Sequence, residues 1–325
     1  MIAFVTGGTG FVGSHLVEAL IASPDYTEVR CLVRSSDKWL NGLDFTRVEG
    51  DLFNLQKIGE ALEGVDIVFH NAAVLRAPSK KEFTRANVDA TENLIRLGQK
   101  KGVKNFVTLS SLAAVGPSSG IPVTEKNRMN PISMYGESKK EMESIIHKIA
   151  KKEDSIKIIR PPAVYGPRES DIYTFFKTFT TGICPIVGDG NHPTLSMVYV
   201  KDLVEGIMLS SKKIESGVHT YFLGGERDEY SWNQIRKVTS IVMNKKAIPV
   251  KIKPGWVKKI AAVIEGGASL FGKYPVINKE KANEMIQEWV CSSQKAKKEL
   301  GYKPQFTIQE GISRTIRWYK KHNWL

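Results

Sequence analysis

The chain has 325 residues, enough to bury a sizeable core in one large domain or two modest ones. Hydrophobic residues at 42% and charged residues at 25% are ordinary for a globular protein, which excludes disordered and fibrous classes. The net charge of +13 suggests nucleic-acid binding, but no basic segment alternates with aromatic residues. We therefore predict a solvated, lysine-rich surface and no nucleic-acid partner.

The cysteines and the N-terminus favour a reducing compartment. Cys31, Cys184 and Cys291 are far apart and form no C-x-x-C pair, which argues against a disulfide framework or a zinc ribbon. Residues 1–5 run directly into a glycine loop, without the regions of a secretory signal. No apolar run approaches the ~20 residues that span a bilayer. We expect a cytoplasmic protein.

Short apolar runs alternate with amphipathic stretches through the first half of the chain. The runs 2–5, 29–33, 65–69, 106–109 and 156–159 predict buried strands, and stretches such as 12–22, 83–101 and 138–151 predict the helices between them. This order is typical of an α/β fold with a doubly wound parallel sheet. We predict a Rossmann dinucleotide-binding domain over 1–165, rejoined at about 195–222, and a smaller mixed α/β substrate-binding region over 166–325.

A glycine-rich loop follows the first predicted strand and begins the first predicted helix. It contains G-x-G-x-x-G as Gly8, Gly10 and Gly13, and a second spacing that starts at Gly7. Glycines there allow the backbone to approach a pyrophosphate, and the helix N-terminus offers free N–H groups to it. A structural turn is the alternative, but the strand–loop–helix context favours dinucleotide binding.

The tip of the second strand distinguishes the two nicotinamide dinucleotides. An NAD site normally has Asp or Glu there, whereas this chain has Arg34 followed by two serines. A guanidinium can bind a 2′-phosphate through two parallel hydrogen bonds, so we favour NADP over NAD. The alternative is an exposed surface arginine, with Asp37 as the ribose partner.

Two further loops belong to the predicted cofactor site. If a third strand is counted between the runs 29–33 and 65–69, Asp51 and Leu52 follow it and are expected to border the adenine. Asn71, Ala72 and Ala73 follow the fourth strand, where small residues let the backbone pass close to the cofactor. Ordinary loop chemistry is the alternative for both.

Tyr135 and Lys139 are four residues apart at the start of a predicted helix, so they project from one face. A nearby ammonium and the positive nicotinamide would stabilise the phenolate, whose unperturbed pKa is ~10. Ser111, at the end of the fifth strand, can donate a hydrogen bond to a substrate oxygen. Together these residues predict a proton relay beside hydride transfer.

Several motifs resemble those of the extended short-chain dehydrogenase/reductases. They are TGGTGFVG at 6–13, Asn71-Ala72-Ala73, Leu109-Ser110-Ser111, Tyr135-Gly136-Glu137-Ser138-Lys139, RPPAVYGP at 160–167, and KAKKELGYKP at 295–304. The resemblance implies Ser111, Tyr135 and Lys139 as the catalytic residues. It also implies cofactor contacts from Gly7, Gly10, Phe11, Val12, Arg34, Asp51, Leu52, Ala72, Tyr135 and Lys139.

Within that family the chain departs from the nucleotide-sugar branch. The triplet Ser111-Leu112-Ala113 lacks the acid that sugar dehydratases carry near the serine. Residues 195–197 and 281–285 lack the arginines that bind a diphosphate in sugar enzymes. The chain is more similar to bacterial relatives of hydroxysteroid dehydrogenases and dihydroflavonol reductases, a similarity that the Tyr274-Pro275 segment shares.

The stretch 255–272 predicts a helix with one apolar face. Its members, at helical spacing, are Val257, Ile260, Ala261, Ile264, Ala268 and Phe271. The helix could roof a substrate pocket or touch a membrane surface. We favour packing on the core over membrane contact.

The predicted function is transfer of hydride between NADP(H) and an apolar ketone, aldehyde or secondary alcohol. Two alternatives stay open: a nucleotide-sugar epimerase with bound NAD, and a non-catalytic cofactor-sensing subunit. We expect a homodimer that binds a small molecule. Because His70, His192 and His219 lack partners at metal-ligand spacing, we predict no metal site.

Overall fold

The computed structural model describes residues 1–269 and 278–325. The strands are β1 (Ile2–Thr6), β2 (Glu28–Val33), β3 (Thr46–Glu49), β4 (Ile67–His70), β5 (Asn105–Leu109), β6 (Ser155–Arg160), β7 (Ala163–Tyr165), β8 (Ile183–Val187), β9 (Met197–Tyr199), β10 (Gly217–Phe222) and β11 (Ile248–Ile252). The helices are α1 (Phe11–Ala22), α2 (Leu55–Ala61), α3 (Lys80–Phe83), α4 (Ala90–Lys100), α5 (Met134–Ile149), α6 (Asp171–Thr180), α7 (Val200–Lys212), α8 (Trp232–Met243), α9 (Pro254–Ser269), α10 (Lys279–Met285), α11 (Gln294–Leu300) and α12 (Ile308–Lys321).

Seven parallel strands of the described chain form the main sheet, in the order β10-β6-β5-β4-β1-β2-β3. This confirms the predicted doubly wound Rossmann fold. The strand order reverses beside β1, so a crevice forms at the carboxyl ends of β1 and β4, where ligands bind in such sheets. The runs predicted as strands β4 and β6 are buried along their whole length, as expected for strands covered on both faces.

Helices cover both faces of the sheet. The core on one face includes Leu16 and Leu20 of α1 and Leu203 of α7. The core on the other face includes Leu94 of α4 and Ile146 of α5. Because α7 and β10 come from the second half of the chain, that half completes the dinucleotide-binding fold on this face and at one edge of the sheet.

Two small parallel sheets, β7–β9 and β8–β11, lie outside the main sheet in the described chain. The three cysteines are free and buried. No described helix is long and apolar enough to cross a bilayer.

Helix α9 buries only half of the apolar face predicted for it. Val257 and Ala261 are buried, whereas Ile260 and Ile264 are 45% and 38% exposed. Packing on the core, the favoured prediction, therefore holds for the side of the stripe that carries Val257 and Ala261, and the side that carries Ile260 and Ile264 is exposed. The side chain of Ala268, and Phe271, Tyr274 and Pro275, lie outside the described residues.

Candidate active site

The glycine loop between β1 and α1 is packed too tightly for side chains. Gly7 has φ of +70°, and a Cβ there would lie 2.6 Å from the backbone nitrogen of Ala72. A Cβ on Gly13 would lie 2.1 Å from the carbonyl oxygen of Gly7. The loop, the start of α1 and the segment after β4 are therefore held together at one end of the sheet, as dinucleotide binding requires.

The groups around this loop fit a dinucleotide. Among the described residues no side chain caps the amides at the start of α1, where Gly10 is the N-cap, and the first turn has no acid. The side-chain amide nitrogen of Asn71, Nδ2, is buried without a hydrogen-bond partner in the described chain. Free helix amides bind phosphate, and an unpaired buried amide calls for a ligand. Gly7, Gly10, Phe11 and Val12 are the residues that would hold the pyrophosphate.

Arg34 is exposed at the tip of β2. The Arg47 guanidinium donates to the Asp37 carboxylate at 2.9 Å and to the Ser35 carbonyl oxygen at 2.9 Å. Asp37, the alternative ribose partner, is thus already engaged in an ion pair. Arg47 adds a second cation that sequence reasoning missed, because only the pairing of β2 with β3 brings it to this loop.

The other predicted cofactor contacts line the same edge of the sheet. Asp51 is exposed and accepts a hydrogen bond from Phe53 N at 2.8 Å, while Leu52 is half-buried against the core. Ala72 N donates to Thr6 Oγ1 at 3.3 Å. These residues flank the crevice, and their contacts with a bound adenine stay a prediction.

Ser111 and Tyr135 lie side by side because two backbone segments approach closely. Ser133 caps α5 by accepting from Gly136 N at 3.2 Å, and a Cβ on Gly136 would lie 2.4 Å from the Ala113 carbonyl oxygen. This contact holds the start of α5 against the turn that begins at Ser111. The Ser111 hydroxyl accepts from Ala113 N at 3.1 Å, which leaves its O–H available to donate.

Burial controls the acidity of Tyr135. Burial raises its pKa well above 10, the adjacent Ser111 hydroxyl lowers it, and the Glu284 carboxylate raises it. A buried phenol with this pKa holds its proton at neutral pH, so this form of the site is prepared to donate. Stabilisation of the phenolate by the Lys139 charge stays a prediction. A bound, positively charged nicotinamide would act on the phenolate in the same direction.

Lys139 is 2% exposed and donates to the carbonyl oxygen of Leu109 at 2.7 Å. Burial lowers its pKa to about 8. His70 lies near enough that burial, together with the Lys139 charge, lowers the His70 pKa to about 3. His70 is therefore neutral, and it bonds Thr6 Oγ1 at 2.7 Å and Thr91 Oγ1 at 2.8 Å as a packing residue.

A buried ion pair supports the strand end that carries Ser111. Glu143 is fully buried, and its Oε1 accepts from Arg160 Nε at 2.9 Å and from Ser110 Oγ at 2.6 Å. Glu143 also stands one helical turn after Lys139, whose pKa its charge raises. Sequence reasoning missed this pair, although an arginine at the end of an apolar strand was an available signal.

Helix α10 brings carboxylates to the start of α5. Glu280 Oε1 accepts from Met134 N at 3.1 Å, which places α10 against the first turn of α5. Glu284 is one turn further along α10, its side chain is 16% exposed, and Lys281 Nζ lies 3.2 Å from its carboxylate. Sequence reasoning did not identify Glu284, since no spacing connects it to Tyr135.

The segment that could bind a diphosphate in a sugar enzyme is buried. Ser196 is 1% exposed, and its Oγ accepts from Cys291 N at 3.0 Å and donates to the carbonyl oxygen of Asp228. Met197 is buried beside it. Neither residue presents a cation to the site. The described groups of His, Cys, Asp and Glu include none that could hold a metal ion.

One family model and several known proteins are similar to this chain over most of its length. The model of the NAD dependent epimerase/dehydratase family matches residues 3–224. The ceramide reductase of Caulobacter vibrioides is 26% identical over 334 residues, which cover 100% of this chain and 96% of that protein. The UDP-glucose 4-epimerase of Vibrio cholerae is 27% identical over 329 residues, covering 98% and 95% respectively. The crystal structure of gox2253 is 30% identical with a TM-score of 0.82, covering 99% of this chain and 98% of that one.

Proposed function

The chain belongs to the NAD-dependent epimerase/dehydratase family, whose members are NAD(P)-dependent enzymes, and we propose that it is a reductase of this family that uses NADPH to reduce an apolar ketone or aldehyde. The observation that carries the proposal is the contact between Gly136 and Ala113, which sets Tyr135 beside Ser111 at the edge of the glycine-loop crevice. The reverse reaction, oxidation of a secondary alcohol, uses the same groups.

The proposed roles follow from the donor and acceptor chemistry of each side chain. When bound, the nicotinamide supplies the hydride. The Ser111 hydroxyl donates a hydrogen bond to the substrate oxygen and orients it. Tyr135 gives its proton to that oxygen as negative charge develops there. Lys139, held by the Leu109 carbonyl, provides a positive charge on the same helix face that favours the resulting phenolate.

The proposed substrate class rests on the absence of cations where a diphosphate would bind and on the name of one relative. The positions that would bind a diphosphate hold Leu195, Ser196 and Met197, so a nucleotide-sugar would lose its charge-assisted hydrogen bonds. The ceramide reductase relative is named for a lipid substrate. We therefore propose a long-chain carbonyl compound. The test is NADPH consumption with a panel of long-chain ketones and aldehydes, and no turnover on any of them would overturn the proposal.

Arg34 is proposed to select NADP over NAD. Arg34→Gln is expected to weaken NADPH binding about ten- to hundredfold, the loss of roughly 1.5–3 kcal/mol of charge-assisted hydrogen bonding. NADH binding should stay nearly unchanged. Fluorescence titration of both cofactors measures this, with Arg34→Lys as the control that keeps charge without the planar fork. Equal affinity of the native protein for NADPH and NADH would contradict the role of Arg34.

Glu284 is proposed to set the pH range of the reaction. Its negative charge raises the pKa of Tyr135, so Glu284→Gln should lower that pKa. Alcohol oxidation needs the phenolate as a base, and the rising limb of its pH profile should therefore move to lower pH. Glu288→Gln is the matched control, because Glu288 pairs with His192 at 2.8 Å. An unchanged limb in Glu284→Gln would show that this charge does not act on the acid/base group.

The second candidate is a nucleotide-sugar epimerase with bound NAD. The UDP-glucose 4-epimerase relative, which matches 98% of this chain, supports it. Under this alternative, purified protein would carry NAD⁺ and UDP-hexose would raise its melting temperature. Under the reductase proposal UDP-hexose has no effect on the melting temperature, so one thermal titration separates the two.

A further inference from the structure

Helix α9 exposes half of a broad apolar stripe. Trp256, Ile260 and Ile264 follow one another at helical spacing and are 59%, 45% and 38% exposed. Val257 and Ala261 continue the stripe on its buried side, where they pack with Val187 and Ala282. An isolated exposed apolar residue needs no explanation, but three in register on one helix form a patch.

The adjoining sheet adds exposed apolar residues. Strand β11 ends at Ile252, two residues before α9 begins at Pro254, and pairs in parallel with β8. Ile248 and Val250 alternate along β11 and share a face with Ile183, the partner of Ile248. These three are 71%, 45% and 46% exposed. Ile252, on the same face, packs in the cluster that holds Val257, so α9 covers one end of this face and leaves the other end open.

The chain that leads into α9, and the first turns of α9 itself, carry mostly positive charge. Residues 231–264 contain eight Lys and Arg and no Asp or Glu. Lys258 and Lys259 are exposed on α9, and Lys251 and Lys253 are exposed just before it. The Lys259 ammonium lies 5.1 Å from the centre of the Trp256 ring, at the border of the apolar stripe. Lysines beside an apolar stripe with an exposed Trp are typical of helices that lie in a membrane interface.

We propose that α9 and the open end of β11 form a docking surface for an anionic bilayer. The apolar stripe would enter the headgroup boundary while the lysines contact acidic headgroups. A second copy of this chain fits less well, because a symmetric interface would bring the same cations face to face. The surface lies outside the groups proposed for hydride transfer, and its docking does not depend on that reaction.

Vesicle sedimentation tests the proposal. The protein should sediment with vesicles of phosphatidylcholine mixed with phosphatidylglycerol, stay in solution with phosphatidylcholine alone, and be released by high salt. The double variants Trp256→Ser with Ile260→Ser, and Lys258→Glu with Lys259→Glu, should each lose most of the bound fraction. Because the substituted side chains are exposed, the melting temperatures of both double variants should match that of the native protein.

Two matched controls complete the experiment. Ile121→Ser with Ile214→Ser removes apolar residues that are 77% and 68% exposed elsewhere, and Lys100→Glu with Lys104→Glu reverses charge elsewhere. Both should bind vesicles as the native protein does. Native protein that stays in solution with the anionic vesicles, or controls that lose as much binding as the α9 variants, would overturn the proposal. The readout is binding and not turnover, so it is independent of the proposed reaction.

Discussion

Replacing Tyr135 by Phe is expected to lower kcat for carbonyl reduction by about 10²–10⁴-fold while leaving NADPH binding intact. Phenylalanine keeps the ring, which lies 6.3 Å from the ring of Phe83, and removes only the hydroxyl that bears the proton. The substrate oxygen would then develop charge without a proton donor. Initial rates of NADPH oxidation and a fluorescence titration of NADPH give the two quantities.

Tyr26→Phe is the matched control for that experiment. The Tyr26 hydroxyl, in the loop between α1 and β2, is bonded to Ser211 Oγ of α7 at 3.1 Å, and neither residue belongs to the proposed relay. Its loss should change kcat little. Ser111→Ala should lower kcat in the same direction as Tyr135→Phe, because the substrate oxygen loses its orienting donor. A Tyr135→Phe protein that reduces its substrate at the native rate would remove Tyr135 from the chemistry.

Breaking the ion pair between Glu143 and Arg160 is the substitution with the largest expected effect on stability. Glu143→Gln leaves the Arg160 guanidinium, 4% exposed, without its carboxylate. Removing one partner of a buried pair costs about 3–5 kcal/mol, because the remaining charge stays out of water. For a protein of this size we expect a fall in melting temperature of about 4–7 °C.

The comparison with an exposed pair isolates the effect of burial. Arg96 and Glu92 form an i,i+4 pair at 2.8 Å whose side chains are 51% and 30% exposed. Glu92→Gln should cost less than about 1 kcal/mol. The double variant Glu143→Met with Arg160→Met should recover much of the stability that Glu143→Gln loses, since it removes both charges. Calorimetry of the four proteins measures this, and a Glu143→Gln protein as stable as Glu92→Gln would contradict the buried-charge argument.

The strands and helices of the central sheet could be predicted from the sequence, because buried parallel strands appear as apolar runs and the helices between them as amphipathic stretches. The runs at 65–69 and 156–159 are apolar apart from Asp66 and Lys157, and β4 and β6 are buried throughout. Strand β3 is harder to recognise, since it lies at the sheet edge and is mostly exposed. Apolar periodicity identified the stripe on α9 but not which half of it is covered, because the same pattern serves core and surface contacts.

The candidate site could be predicted only where its residues share a local motif. The residues of the glycine loop are neighbours in sequence, and Tyr135 and Lys139 are one helical turn apart. The pairing of Glu143 with Arg160 joins α5 to β6, and the approach of Glu284 to Tyr135 joins α10 to α5. Such contacts follow from tertiary packing and have no spacing of their own. Arg47 is similar, since the β2–β3 register alone brings it near Ser35.

Deuteride transfer tests the central claim most directly. NADPH labelled with deuterium at the transferred C4 position would be incubated with the panel of long-chain ketones, and any alcohol that forms would be analysed by mass spectrometry. We predict that the native protein forms an alcohol with one deuterium on the carbinol carbon. The Tyr135→Phe protein should form far less of this alcohol. An alcohol without deuterium, or no alcohol at all alongside inversion of a UDP-hexose at C4 by protein carrying bound NAD⁺, would contradict the account.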